Sequence, residues 1–385
     1  MSALERLRRL PQPRGSRLPS DQMSRSRLSR NASEVSTAFV LAGGGNLGAI
    51  QAGMLRALSE HKIRPDLILG CSVGAINGAA FATDPTLAGA RLLETRWRNV
   101  TAEAVMPPGR LPGAVQLVRK GESIHPNQGL RELIESFLGG KSRFEDLSTR
   151  FECVATDMAA SAEKWFNSGS LIGPLLASAA LPAVFPPVEV NGRRYLDGGV
   201  VNNVPLSRAM HLGAERIYVL HVGSHGRPET SIRRPSEAAL IGYWIARNCR
   251  FANDLNDIPA GVQVVVMSPE IRPDLRYDDF SETDALISDG YMAASAVLAS
   301  DEYRALPNPQ PRWMRALSVA RPGQLVGAAS IVESTLASRA TAEEPPVDAA
   351  SESAPASAEA APYDATQEST HGLETAQAML DDLTP

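Results

Sequence analysis

Residues Gly70-Cys71-Ser72-Val73-Gly74 spell G-x-S-x-G between an apolar run, Leu67-Ile68-Leu69, and a helix-like stretch, Val73–Ala82. The outer glycines, Gly70 and Gly74, allow a sharp backbone turn that side chains there would forbid, and the turn pushes Ser72 outward at a helix N-terminus. Free amide N–H groups and the helix dipole at that point favour the negative charge that develops during acyl transfer. The pentapeptide alone recurs by chance. Its strand–turn–helix setting is what makes Ser72 a candidate nucleophile.

A second element, Gly43-Gly44-Gly45-Asn46-Leu47-Gly48, follows the apolar run Phe39-Val40-Leu41 and fits two mechanisms. As G-x-G-x-x-G it matches the dinucleotide fingerprint, with pyrophosphate on a helix N-terminus. As a run of bare backbone it matches an oxyanion hole, where one N–H donor contributes about 3–4 kcal/mol to the transition state. The fingerprint also expects an acidic residue closing the next strand, where the serine turn stands instead. The oxyanion reading is the better fit, and a close helix–strand contact is the bland alternative. The third element is Asp197-Gly198-Gly199, directly after the strand-like Arg193–Leu196. Asp before two glycines is ordinarily a turn former, and it gains weight only beside the other two motifs.

Together the three motifs resemble the patatin-like phospholipase family, marked by G-G-G-x-x-G, G-x-S-x-G and D-G-G or D-G-A in this order. The segment Ala177–Val188 also looks like the one leading into the family's Asp strand. The resemblance covers about Ala38 to Gly213, more weakly Asp284–Leu298. It implies that Ser72 is the nucleophile, Asp197 the base, and Gly43, Gly44, Gly45 and Gly48 the oxyanion loop. The implied activity is hydrolysis of a carboxylic ester of a lipid, without cofactor or metal, by a Ser–Asp dyad. The implied fold is a three-layer α/β/α sandwich with a mostly parallel central sheet. One departure stands out: Leu47 occupies the position two residues past the third glycine, where many members carry Arg or Lys.

A carboxylate with an ordinary pKa near 3.9 is a weak base. It can take the serine proton only where the site lowers the energy of the resulting alkoxide-like state, so Asp197 is expected to be partly desolvated. A rival stays open, because Ser72, Asp197 and His221 follow the Ser–Asp–His order of α/β-hydrolases, with His225 a more distant substitute. A catalytically silent lipid-binding or scaffold protein is a further alternative. His61 and His125 lack metal-ligand spacing, and no grouped acidic loop suggests calcium. Cys71 should turn inward as a small packing residue, and Trp97 should belong to the core.

The elements positioning these residues alternate strand and helix, which is an α/β pattern. Phe151–Thr156, Glu163–Phe166, Arg216–Val222 and Val262–Met267 read as strands. Leu87–Arg98, Leu171–Leu181, Ser236–Leu255 and Ser281–Leu298 read as helices. Asn127 is placed to cap a helix with its apolar face on Leu130, Leu133, Ile134, Phe137 and Leu138. Asn191-Gly192 suits a type I′ hairpin turn. Met106–Val118, apolar yet broken by Pro and Gly, is either a cap over the acyl pocket or a surface loop.

The chain has 385 residues, 43% of them hydrophobic, enough for a sizeable core. Its net charge of −5 is unevenly spread. Residues 1–35 carry eight Arg against three acidic residues, whereas 340–385 carry ten acidic residues and no Lys or Arg. The body between is neutral, which argues against a general nucleic-acid binder. Residues 1–35 are expected to be a basic disordered arm, 36–213 the catalytic domain, and 214–304 its α/β continuation. Residues 305–339 should be partly ordered and 340–385 an acidic disordered tail. The N-terminus lacks the apolar stretch of a secretory signal, although its Arg/Ser-rich composition is compatible with a transit peptide. Each Arg near an anionic membrane would contribute about 1 kcal/mol, so the arm is a candidate for peripheral docking. The prolines at 174, 182, 186 and 187 prevent Leu171–Val188 from spanning a bilayer. Cys71, Cys153 and Cys249 are too scattered for a disulfide framework. They read as buried thiols in a reducing, cytoplasmic setting.

Overall fold

A computed structural model describes residues 36–106, 123, 125–223, 235–269, 278–308 and 323–327. The arm at 1–35, His225, the acidic tail and all but Met106 of the expected cap lie outside the described residues. The strands, in chain order, are β1 (Thr37–Leu41), β2 (Leu67–Cys71), β3 (Arg150–Asp157), β4 (Ala162–Phe166), β5 (Val188–Val190), β6 (Arg193–Asp197), β7 (Arg216–Leu220), β8 (Gln263–Met267) and β9 (Gln324–Val326). The helices are α1 (Gly48–Glu60), α2 (Val73–Thr83), α3 (Leu87–Arg98), α4 (Ala102–Val105), α5 (Gln128–Leu138), α6 (Ile172–Ser178), α7 (Leu206–His211), α8 (Pro235–Asn256), α9 (Thr283–Ala299) and α10 (Asp301–Arg304).

One sheet runs β5-β6-β3-β2-β1-β7-β8-β9, with β4 also pairing with β3. The run from β3 through β2, β1, β7 and β8 to β9 is parallel, while β4, β5 and β6 are antiparallel additions at the β3 end. Alternation within the central strands builds two cores. Phe39, Leu41, Ile68, Tyr218, Leu220, Val265 and Met267 face one side, and Ala38, Val40, Leu67, Leu69, Ile217, Val219, Val264 and Val266 face the other. Burial on both faces explains why these strands read as continuous apolar runs. The result is the three-layer α/β/α sandwich with a mostly parallel sheet that the motif order implies.

On the first face α1 and α9 cross so closely that a Cβ on either Gly53 or Gly290 would collide with the other helix's backbone. The β5–β6 hairpin turns through Asn191 at φ 52° and Gly192 at φ 74°, as its Asn-Gly requires. The helix expected over Leu171–Leu181 stops at Ser178. Leu181 precedes Pro182, which disfavours helical backbone, and the Ala180 carbonyl instead accepts the Asp197 amide at 2.9 Å. Asn127 precedes α5 but makes no side-chain cap hydrogen bond. No helix among the described residues is long and apolar enough to cross a membrane.

Candidate active site

The Gly loop leaves the carboxyl end of β1, and Ser72 leaves the carboxyl end of β2 beside it. Ser72 is the residue before α2 and sits at φ 53°, ψ −125°, a left-handed conformation unusual for a residue with a side chain. The packing around it leaves no alternative. A Cβ on Gly70 would lie 2.5 Å from Ala75 Cα, and one on Gly74 would lie 2.6 Å from the Ala42 carbonyl oxygen. The Ser72 amide donates to Ser178 Oγ at 3.0 Å, tying the turn to α6.

Asp197 ends β6, which pairs with the same edge of β3 as β2 does, just beyond it: Cys71 stands opposite Val154 and Asp197 opposite Ala155, with β4 on the other edge. Asp197 Oδ1 accepts the Gly199 amide at 2.7 Å, and its own carbonyl accepts the Thr156 hydroxyl at 2.7 Å. The Ser72 hydroxyl reaches the carboxylate and helps hold its pKa down. Oδ2 has no hydrogen-bond partner among the described residues. Catalytic hydrogen bonds are often long in unliganded enzymes and tighten with substrate. Burial is the larger influence on Asp197: it pushes the carboxyl up to about 6, against the opposing Ser72, Gly199 and Arg247. The residue is therefore fully buried, beyond the partial desolvation expected, and it is a better base than an exposed aspartate.

Both side chains open into a cavity of about 110 Å³. Gly44, Gly45 and Asn203 join them at its polar end, while Ile76, Trp97, Leu130, Leu133 and Phe185 supply apolar walls. The amides of Gly44 and Gly45 donate to no backbone carbonyl among the described residues. Gly43 lies against the serine, since a Cβ there would be 3.1 Å from Ser72 Cβ and would collide with Asn203. Gly48 plays another part. It packs under Val73 and Trp97, where a Cβ would meet Trp97 Cζ2 at 2.7 Å, and does not line the cavity. Gly48 thus serves a close helix–helix contact. Leu47 is buried in the 3-10 turn before α1.

The structure does not bring His221 into this group. Its ring lies flat on Phe251 of α8, centroids 5.3 Å apart, and it does not line the cavity. Cys71 is buried as expected, with its thiol pushed well up by burial. Cys249 corrects the expectation of three buried thiols: it is exposed on α8. Trp97 is buried but also walls the cavity, and its indole donates to Asn77 Oδ1 at 2.8 Å. Met106, the one described residue of the expected cap, lines the cavity too. No group of three or more potential metal ligands occurs among the described residues.

Four contributors carried no motif. Ser178 lies within the Ala177–Val188 segment, and Asn203 follows Asp197-Gly198-Gly199 closely enough that its polarity was a legible hint. Tyr243 and Arg247 come from α8, whose sequence gives no sign that one face reaches the cavity. Burial raises the Tyr243 phenol, with the Asp197 charge adding to the shift.

Comparison with known proteins agrees with the motif order. Residues 39–210 match the family model described as patatin-like phospholipase. Patatin-like phospholipase domain-containing protein 7 of Mus musculus is 32% identical over 222 residues, which cover 57% of this chain and 16% of that protein. Lysophospholipase nte1 of Aspergillus terreus is 31% identical over 226 residues, covering 58% and 14% respectively. This chain thus spans about a sixth of the length of such relatives. Among solved structures, VipD from Legionella pneumophila aligns with a TM-score of 0.37 and 14% identity over 68% of this chain and 66% of that one. Through residues 39–210 the chain is thus similar to the patatin-like phospholipase family.

Proposed function

We propose that the protein is a lipid acyl hydrolase that cleaves carboxylic esters through an acyl-enzyme on Ser72. The observation that carries this reading is the meeting of the Ser72 hydroxyl with the buried Asp197 carboxylate at the polar end of an apolar cavity. The apolar walls suit an acyl chain and leave its carbonyl carbon beside Ser72 Oγ. Asp197 accepts the hydroxyl proton as Oγ attacks. The carbonyl oxygen, now negative, is held by the Gly44 and Gly45 amides and by the positive end of α2. Collapse of the tetrahedral intermediate expels the alcohol, which leaves with the proton from Asp197. Water then repeats the sequence on the acyl-enzyme, with Asp197 again as base.

The name of the fungal relative makes a lysophospholipid the first substrate to try, alongside a diacyl phospholipid and a monoglyceride. Wild type should react with a fluorophosphonate probe and release fatty acid from at least one of these lipids. Ser72→Ala should lose labelling and at least about 10³-fold in turnover. A folded wild type that neither labels nor hydrolyses any of the panel would instead favour a silent lipid-binding protein.

A further inference from the structure

Arg247 lies on α8, outside the residues that carry the motifs, yet it reaches the oxyanion loop. Its Nη2 donates to the Gly43 carbonyl at 3.3 Å, and Asn203 Nδ2 donates to the same oxygen, also at 3.3 Å. The Gly43 amide in turn donates to the Asn203 carbonyl at 3.1 Å. No peptide bond here is cis. In a planar trans peptide the carbonyl and the following N–H point to opposite sides. Two donors on the Gly43 oxygen therefore fix the direction of the Gly44 N–H on the other edge of the same peptide, and Gly44 lines the cavity with Ser72.

We propose that Arg247 is a positioning residue for the oxyanion loop, acting through the Gly43–Gly44 peptide to aim and polarise the Gly44 N–H toward the developing oxyanion. A cation on the carbonyl end draws electron density along the amide and makes its N–H a stronger donor. The guanidinium is itself held in place. Its Cζ lies 5.2 Å from the Tyr243 ring centroid, one turn back along α8. One turn onward, Arg250 anchors α8 to Glu163 of β4 at 3.0 Å and to Ser207 of α7 at 3.0 Å, and pairs within α8 with Asp254 at 3.1 Å. A planar fork suits this place between ring and carbonyl better than a flexible ammonium.

The role rests on Ser72 being the nucleophile, and its test separates the two ideas. Among the described residues, the titratable and charged groups facing Asp197 are Cys71 of β2 and Tyr243 and Arg247 of α8, of which Arg247 is the cation. β3 and the turn after β6 present the Thr156 hydroxyl and the Gly199 amide.

The full chain is assayed as wild type, Arg247→Gln and Arg247→Lys, following fluorophosphonate labelling rate, kcat, KM and the pH profile of kcat/KM. Arg247→Gln, folded by its melting curve, should still label to full stoichiometry but roughly tenfold to a hundredfold more slowly. Its kcat should fall in parallel with KM little changed, and its acid limb should move to higher pH because the cation beside Asp197 is gone. Arg247→Lys should lose less, with the acid limb unmoved. Glutamine within twofold of wild type, or a loss confined to KM, overturns the role. Should the glutamine variant not fold, a lysine variant identical to wild type overturns it as well. A wild type that neither labels nor hydrolyses lipid defeats the Ser72 reading itself, a result distinct from all of these.

Discussion

Cys71 Sγ lies 4.0 Å from Asp197 Oδ1, so two adjacent residues, Cys71 and Ser72, present their side chains to one carboxylate. They do so from different environments. Ser72 opens into the cavity, whereas Cys71 is wholly buried and its thiol is held protonated by burial and by the Asp197 charge. A thiol in that state is a poor nucleophile. Iodoacetamide should therefore modify only Cys249 in the native protein and leave fluorophosphonate labelling intact, with Cys71 and Cys153 reacting after denaturation. Mass spectrometry of the alkylated peptides reads the order directly.

The raised pKa of Asp197 sets both an activity limb and a stability cost. Only the ionised carboxylate can accept the Ser72 proton, so kcat/KM should rise with pH through about 6 and fall about tenfold per unit below it. The folded state holds this proton more tightly than the unfolded chain, whose carboxyl titrates near 3.8. Stability is then greatest below the unfolded value and is lost as pH rises through the folded one. A shift of this size corresponds to about 3 kcal/mol. Asp197→Asn should lose about 10²–10⁴-fold in turnover yet melt higher than wild type above pH 6, an advantage that fades toward pH 4. Paired thermal melts across that range test the sign.

His221 stacks on Phe251 rather than facing Ser72. His221→Ala should keep activity within about threefold of wild type and cost about 0.5–1.5 kcal/mol of stability from the lost ring pair. A loss of turnover comparable to that of Asp197→Asn would restore a triad.

Two glycine substitutions should part company. Gly74→Ala forces a methyl onto the backbone of β1's end, with no flexible side chain to yield. It should cost about 1–3 kcal/mol and blunt labelling of Ser72. Gly173→Ala, in α6, meets only Val190 Cγ2 at 3.5 Å and should be neutral or gain up to about 1 kcal/mol. Chemical denaturation of the two variants compares them on one scale.

What was legible in the chain follows from range. The serine turn, the Asn-Gly hairpin and the two-sided apolar strands are dictated by neighbouring residues, and the sequence shows them where they stand. Leu87–Arg98 even keeps its bounds, because Thr86 supplies the N-cap and accepts the Gly89 amide. The contribution of α8 was hidden because a helix's register against a distant loop depends on tertiary packing. Tyr243 and Arg247 look like any exposed polar residues of an amphipathic helix until Arg250 anchors the face that carries them. Cys249 is exposed for the same reason, since its burial depends on which side of α8 meets the sheet. The resemblance implies Gly48 for the oxyanion loop, whereas its close neighbours, Val73 and Trp97, come from α2 and α3.

The pairing of β2 and β6 with one edge of β3 has a consequence for biosynthesis. The serine emerges from the ribosome well before the aspartate strand, and the two can meet only after β3 has docked beside β2 and β6 has added to the same edge beyond it. A half-made polypeptide thus carries the elbow serine without the aspartate that comes to stand beside it.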